Sequence, residues 1–340
     1  MKRLYILGLF FIFMACATTP HKSSGIIYMQ QGLYQKAVVE FQGWVNENPN
    51  NAEAHLWLGR AYIGVRDYIK AAEEFAKAYE LDADSGKLAK EFGENEVNTL
   101  LTAGKTLFQQ GDDKGALRYF EYALKINPRD ERPFIAIAII KSKQGQHEEA
   151  INYATKALEL KPNDAQAYYY RAKFYSQMGN RDKAIEDLKK AVEIDTTFSK
   201  AYFDLGTLYF DNEQYENAAQ SFLKAYSLDS NFDDALLNTA LCYFKLSNYP
   251  EAEKYFKMYL DKNSDAYDIW FYYAIALYNQ NKYNDALYAL DKATELKPDY
   301  EDAYSFKALI YNQLKMPDKL NETLKKIQEI QKSKNQNGGK

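Results

Sequence analysis

Apolar positions along this chain recur with a helical period, and the whole pattern recurs with a longer one. The clearest stretch runs from Ser199 to Phe232, SKAYFDLGTLYFDNEQYENAAQSFLKAYSLDSNF. Counting Ser199 as position 1, Tyr202, Leu205, Gly206 and Tyr209 fall at positions 4, 7, 8 and 11, and Ala218, Phe222 and Ala225 at 20, 24 and 27. Both sets have helical spacing, so the stretch predicts two amphipathic helices joined by a short polar turn. Small residues at 8 and 20 let the two backbones approach closely, and large ones at 4, 11 and 24 fill the space around that contact.

Sliding the window by 34 residues keeps the pattern in register. Position 20 falls on Ala37, Ala71, Ala116, Ala150, Ala184, Ala218, Ala252, Ala286 and Leu320, every interval being 34 except the 45 between Ala71 and Ala116. Position 8 is Gly25, Gly59, Gly104, Ala138, Ala172, Gly206, Ala240, Ala274 and Ala308, and proline stops the second helix at Pro49, Pro128, Pro162 and Pro298. Nine units thus span about 18–331, with one insertion. The pattern resembles the tetratricopeptide (TPR) repeat. The resemblance implies an all-α fold, a right-handed superhelical solenoid of about nine helix-turn-helix repeats, in which each unit packs only on its neighbours.

The chain opens with Lys2 and Arg3, an apolar run from Leu4 to Ala15, and Cys16. The run is shorter than the roughly 20 residues a membrane-crossing helix needs and has the build of a secretory signal. Phe13-Met14-Ala15-Cys16 resembles the bacterial lipobox, which implies cleavage before Cys16 and lipidation of its thiol. An uncleaved anchor and an ordinary signal peptide are the alternatives. The expected organisation is a signal over 1–16, a polar tether over 17–24, repeats 1 and 2 over 25–85, an insertion or helix extension over 86–96, repeats 3–9 over 97–331, and a disordered tail over 332–340. Within the insertion, Leu88 and Phe92 keep an approximate helical spacing into repeat 3, whereas Gly93 favours a loop.

Composition narrows the function classes. A formal net charge of −4 leaves no broad basic field for nucleic acid. His21, His55 and His147 are dispersed, and no zinc spacing, phosphate loop or nucleophile turn occurs, so neither a metal, a cofactor nor an enzyme is expected. If Cys16 is acylated, Cys242 has no partner for an intramolecular disulfide and is a small core residue. Lys141 puts a charge at the usually buried position 11, which predicts a packed stem with its ammonium reaching water.

Positions 2, 5, 9 and 12 form a second stripe about 80° wide, turned away from the core stripe. In TPR arrays that stripe lines the concave surface. In repeats 5–8 it carries Tyr169, Phe203, Phe210, Phe244, Phe271 and Tyr278, more aromatics than the chain average supplies. These six are the candidate partner-binding residues; the competing reading is that packing between repeats, or the chain's own C-terminal helix, covers them. The succession of Lys and Asn used by chaperone-binding TPR clamps is missing. The expected function is a non-catalytic, lipid-anchored scaffold in the bacterial cell envelope, at the outer membrane facing the periplasm, holding a protein or peptide segment in its groove and the membrane through lipidated Cys16. This resembles pilotins and other TPR lipoproteins. The rival expectation is a glycan-binding outer-membrane lipoprotein, against which Trp44, Trp57 and Trp270 are dispersed.

Overall fold

A computed structural model describes residues 20–337, apart from 84, 85 and 89 and the side chains of 335–337. The apolar leader and Cys16 lie outside the described residues. Two compact units divide at Pro162 and Asn163. The first holds α1 (Pro20–Gln30), α2 (Tyr34–Glu47), α3 (Ala52–Gly64), α4 (Tyr68–Asp82), α5 (Glu94–Gln109), α6 (Asp113–Ile126), α7 (Arg132–Lys143) and α8 (His147–Leu160). The second holds α9 (Ala165–Gln177), α10 (Arg181–Ile194), α11 (Ser199–Asp211), α12 (Tyr215–Leu228), α13 (Asp233–Lys245), α14 (Tyr249–Leu260), α15 (Tyr267–Tyr278), α16 (Tyr283–Leu296), α17 (Glu301–Gln313) and α18 (Pro317–Asn337). Within each unit every odd-numbered helix packs on the helix after it, and each such pair packs on the next, so both units are all-α helical-repeat solenoids.

The core of a pair is the close approach anticipated at positions 8 and 20. Ala37, Ala71, Ala116, Ala150, Ala184, Ala218, Ala252 and Ala286 are all fully buried. Opposite them, the ring at position 24 lies over the glycine at position 8: Phe41 over Gly25, Phe75 over Gly59, Phe120 over Gly104 and Phe222 over Gly206. A methyl group added at Gly206 would sit 2.8 Å from the Phe222 ring, and one at Gly104 2.6 Å from Phe120. Where position 8 is Ala172 or Ala274, position 24 is the slimmer Leu188 or Leu290, whereas repeat 7 keeps Phe256 with Ala240.

Every turn inside a pair has the same backbone. Apart from Gly86 in the insertion, the described residues with left-handed φ are Gly32, Arg66, Gly111, Gly145, Gly179, Glu213, Ser247, Asn281 and Lys315, one per repeat at position 15. Around each, two hydrogen bonds close the first helix, as in Glu213 N to Phe210 O at 2.9 Å and Gln214 N to Tyr209 O at 2.8 Å. That is the Schellman pattern, in which glycine carries no steric penalty. Only four of the nine turns use glycine, and in the other five the packed helices on either side hold a side-chain-bearing residue in this conformation.

Several boundaries differ from expectation. The helix extension anticipated over 86–96 is limited to Glu94–Glu96, because Gly93 is extended and its N–H donates to Glu96 Oε2 at 2.8 Å, closing the start of α5. The irregular segment before it is still anchored: Leu88 and Phe92 are buried against Phe75, and the Leu88 N–H donates to the buried Asp82 at 2.7 Å. The tether assigned to 17–24 is helical from Pro20, a favoured first-turn residue. His21 Nδ1 meets Glu40 at 2.8 Å and Lys22 meets Glu53 at 2.6 Å, which ties this turn down. The tail expected to be disordered over 332–340 continues as helix through Asn337, since Ile330 is buried and Gln331 and Lys334 reach Glu301 at 2.7 and 2.8 Å. Lys141 behaves as its position predicts, its Nζ reaching Glu149 at 2.9 Å and Gln146 at 3.2 Å.

His55 occupies position 4 of repeat 2, where most repeats carry an apolar or aromatic residue. Its Nδ1 is 2.5 Å from Glu74 Oε2 on α4 and its Nε2 is 2.9 Å from the Pro49 carbonyl. Both nitrogens face acceptors, so both contacts are hydrogen bonds only when the ring is the doubly protonated cation. Burial by itself disfavours that cation, and Lys77 opposes it. The bonds to Glu74 and Pro49 and the charge of Glu74 outweigh both and raise the pKa.

Two expected outcomes follow. Gly206→Ala overpacks the contact with Phe222 and lowers stability by about 1–3 kcal/mol in urea unfolding, while adding Phe222→Leu, the pairing found in repeats 5 and 8, recovers part of the loss. For His55, a folded-state pKa above the ordinary value of about 6.5 contributes stability that is complete below that pH and lost as pH rises through the raised value. Relative to those of His55→Tyr, which has no proton to lose there, unfolding midpoints of the native chain should therefore fall as pH rises above about 6.5 and through the raised value.

Candidate functional site

The six predicted residues all lie on first helices of the second unit: Tyr169 on α9, Phe203 and Phe210 on α11, Phe244 on α13, and Phe271 and Tyr278 on α15. All six are partly buried, and each packs on another ring. At position 5, Tyr169 lies 4.9 Å from Phe198, Phe203 stacks 4.5 Å from Phe232, and Phe271 lies 5.3 Å from Tyr300. Phe198, Phe232 and Tyr300 are the residues capping α11, α13 and α17, and none supplies a side-chain cap hydrogen bond. A polar capping side chain such as Asn51 or Asp164 is replaced there by a ring that closes the repeat onto its own first helix.

Position 12 makes a second clasp. Phe210 packs on Tyr215, Phe244 on Tyr249 and Tyr278 on Tyr283, the last ring of the first helix against the first of the second. Phe244 also reaches Tyr272, and Tyr278 reaches Phe306, each on the following repeat. The rings are thus shared between the packing of the array and its surface.

What the sequence-based choice of aromatics passed over is aliphatic. Leu241, Ile275 and Leu309 stand at position 9 of α13, α15 and α17, with Leu241 and Ile275 partly buried and Leu309 46% exposed. Tyr272, 37% exposed, and Phe306 join them at position 6. The 34-residue register was the signal that could have found them, extended one repeat further and to position 6.

At the other end of the stripe the chemistry is polar. The Tyr169 hydroxyl donates to Asp204, and Lys173 sits 5.6 Å from the Tyr169 ring. Burial raises the Asp204 carboxyl pKa against the opposing effects of Tyr169, Lys173 and Lys200, and burial with the Asp204 charge pushes the Tyr169 hydroxyl well up. Cys242, next to Leu241 on α13, is wholly buried, and burial pushes its thiol up to about 12. Among the described residues no group of His, Cys, Asp and Glu could hold a metal ion, and no helix is long and apolar enough to cross a membrane. The tryptophans are engaged in packing: Trp44 is buried, Trp57 stacks 5.7 Å from Phe41, and the Trp270 indole donates to the Ser264 carbonyl at 2.9 Å.

Clasp and surface residues respond differently to truncation. Phe244→Ala removes contacts to Tyr249, Phe256 and Tyr272 and should cost about 2 kcal/mol or more. Leu309→Ala should change stability by about 0.5 kcal/mol or less. Urea unfolding of the two variants checks the contrast.

Comparison with known proteins agrees with this architecture. A tetratricopeptide repeat model matches residues 23–86, 203–267 and 248–301, and a second tetratricopeptide repeat model matches 141–207. No curated protein matches the chain. Among solved structures the chain is similar to YrrB, described as a TPR protein with an unusual peptide-binding site. The two share 26% identity over 55% of this chain and 97% of that one, with a TM-score of 0.51. It is also similar to MamA (27% identity, 47% of this chain and 94% of that one, TM-score 0.44). A tetratricopeptide repeat protein from Parabacteroides merdae ATCC 43184 matches at 20% identity over 69% of this chain and 93% of that one, with a TM-score of 0.46. With the 34-residue register, the paired helices and the family matches in agreement, this chain belongs to the tetratricopeptide repeat family.

Proposed function

We propose that this protein is a non-catalytic scaffold, anchored in the bacterial cell envelope through lipidated Cys16, that holds a protein or peptide segment on the first-helix face of its second unit. The observation that carries the binding role is the apolar stripe running over α11, α13, α15 and α17, where the clasp rings keep part of their surface and Leu309 and Tyr272 are exposed. A few such anchors usually dominate a protein interface. The similarity to YrrB, a TPR protein with a peptide-binding site, supports the same reading.

Anchoring rests on the leader. Its apolar run is short, its last residue is small, and Cys16 follows directly. Acyl chains on Cys16 would hold the repeats at a membrane, stably so when there is more than one. Ala17, rather than Asp, after the cysteine favours the outer membrane facing the periplasm, and an assembly role of the pilotin kind fits a groove displayed there.

The test is made in cells. A photo-crosslinking residue at Leu241, Ile275 or Leu309 should give a discrete adduct with another polypeptide, and one at the exposed Gln220 on α12 should not. Equal adduct patterns at all four sites would overturn the binding face. Cys16→Ser should abolish labelling by a fatty acid and release the protein from membranes; undiminished labelling would overturn the anchor.

A further inference from the structure

Two columns run side by side across the last three first helices of the second unit. Position 9 carries Leu241, Ile275 and Leu309, and position 2 carries Asp234, Asp268 and Asp302. Seven residues separate the members of each pair, two helical turns, so acid and apolar side chain share one face about 10 Å apart along the helix. All three aspartates are exposed. Acid in a first turn also favours the helix dipole, and by itself says nothing of a ligand. The informative feature is that both columns begin together at α13. On α9 and α11 position 2 is Gln166 and Lys200, and position 9 is Lys173 and Thr207.

Among the described residues none of the three aspartates forms an ion pair, although the Lys334 charge also acts on Asp302. Lys262 is held by Asp233 at 2.9 Å and the Ser230 carbonyl at 2.7 Å, and Lys334 by Glu301 at 2.8 Å. Lys297 lies over the Tyr267 and Tyr300 rings, 4.6 and 5.3 Å from their centres. Asp234 and Asp268 both act on Tyr259, and Asp302 and Asp268 both act on Tyr300, which places the three carboxylates along one edge. Tyr300 in turn packs on Phe271, joining that edge to the apolar stripe.

We infer that the face of α13, α15 and α17 takes a basic amphipathic polypeptide segment, its apolar side chains on Leu241, Ile275 and Leu309 and its lysines or arginines against Asp234, Asp268 and Asp302. The inference rests on the proposed partner-binding role of this face and adds the charge of the partner. Opposite charge at an interface mainly sets partner choice and association rate, so binding should weaken steeply with salt.

The experiment is a fluorescence-anisotropy titration of the full chain with two synthetic helical peptides of identical leucine and phenylalanine positions, one with lysine and one with glutamate at every polar position. The lysine peptide should bind at least about tenfold more tightly at low salt. The Asp234→Lys, Asp268→Lys, Asp302→Lys triple variant, its fold checked by circular dichroism, should reverse the order. If both peptides bind equally, and Leu241→Ser with Ile275→Ser abolishes both without unfolding, the partner-binding face stands and the charge inference fails. If neither peptide binds the native chain, both fail. Self-association in sedimentation that the triple variant abolishes would assign the face to a second copy of this chain, and so overturn the inference.

Discussion

The two helices of each repeat must approach closely enough for their backbones almost to touch, and the rest of the array depends on that distance. Glycine at position 8 lies under phenylalanine at position 24, as in Gly206 and Phe222, with no room for a methyl group between them. Alanine under leucine, as in Ala172 and Leu188, fills the same gap from both sides. Because interiors are packed without slack, a change in one partner is felt by the other, although repeat 7 combines Ala240 with Phe256. A fully buried alanine at position 20 is retained in eight of the nine repeats.

Once that distance is set, the turn between the helices has little freedom. All nine turns place a left-handed residue at the same position and close with the same pair of hydrogen bonds. Arg66, Glu213, Ser247, Asn281 and Lys315 adopt a conformation costing roughly 1–2 kcal/mol for a residue with a side chain. Tertiary packing on both sides offsets that local cost, a small instance of the whole array overriding local preference. The insertion before α5 obeys the same constraint: its backbone is irregular, yet Leu88 and Phe92 are buried and Asp82 takes up one of its N–H groups.

Surface and core are not separate sets on the first-helix face of the second unit. Phe203, Phe244 and Phe271 close repeats onto themselves or onto the next one, and retain part of their area for solvent or a partner. A face built this way is held rigid before anything binds, which lowers the ordering cost of association. In the aliphatic column of Leu241, Ile275 and Leu309, Leu309 is exposed, whereas Leu241 also packs on the core of its repeat.

The sequence by itself determined the family, the number of repeats, the register and the identity of the buried positions, because a 34-residue period repeated nine times leaves one consistent assignment of inward and outward faces. It also located the stripe on which the candidate residues lie. Tertiary structure decided what those residues do there. An aromatic at position 5 carries the same local signal whether it faces solvent or packs on the residue capping the first helix of the next repeat, 29 positions later, as Phe203 does on Phe232. Helix limits at both ends were likewise set by distant partners, with Glu40 and Glu53 holding His21 and Lys22, and Glu301 holding Lys334. Periodicity reports which way a side chain points along its own helix; what meets it there depends on residues that only the folded chain brings near.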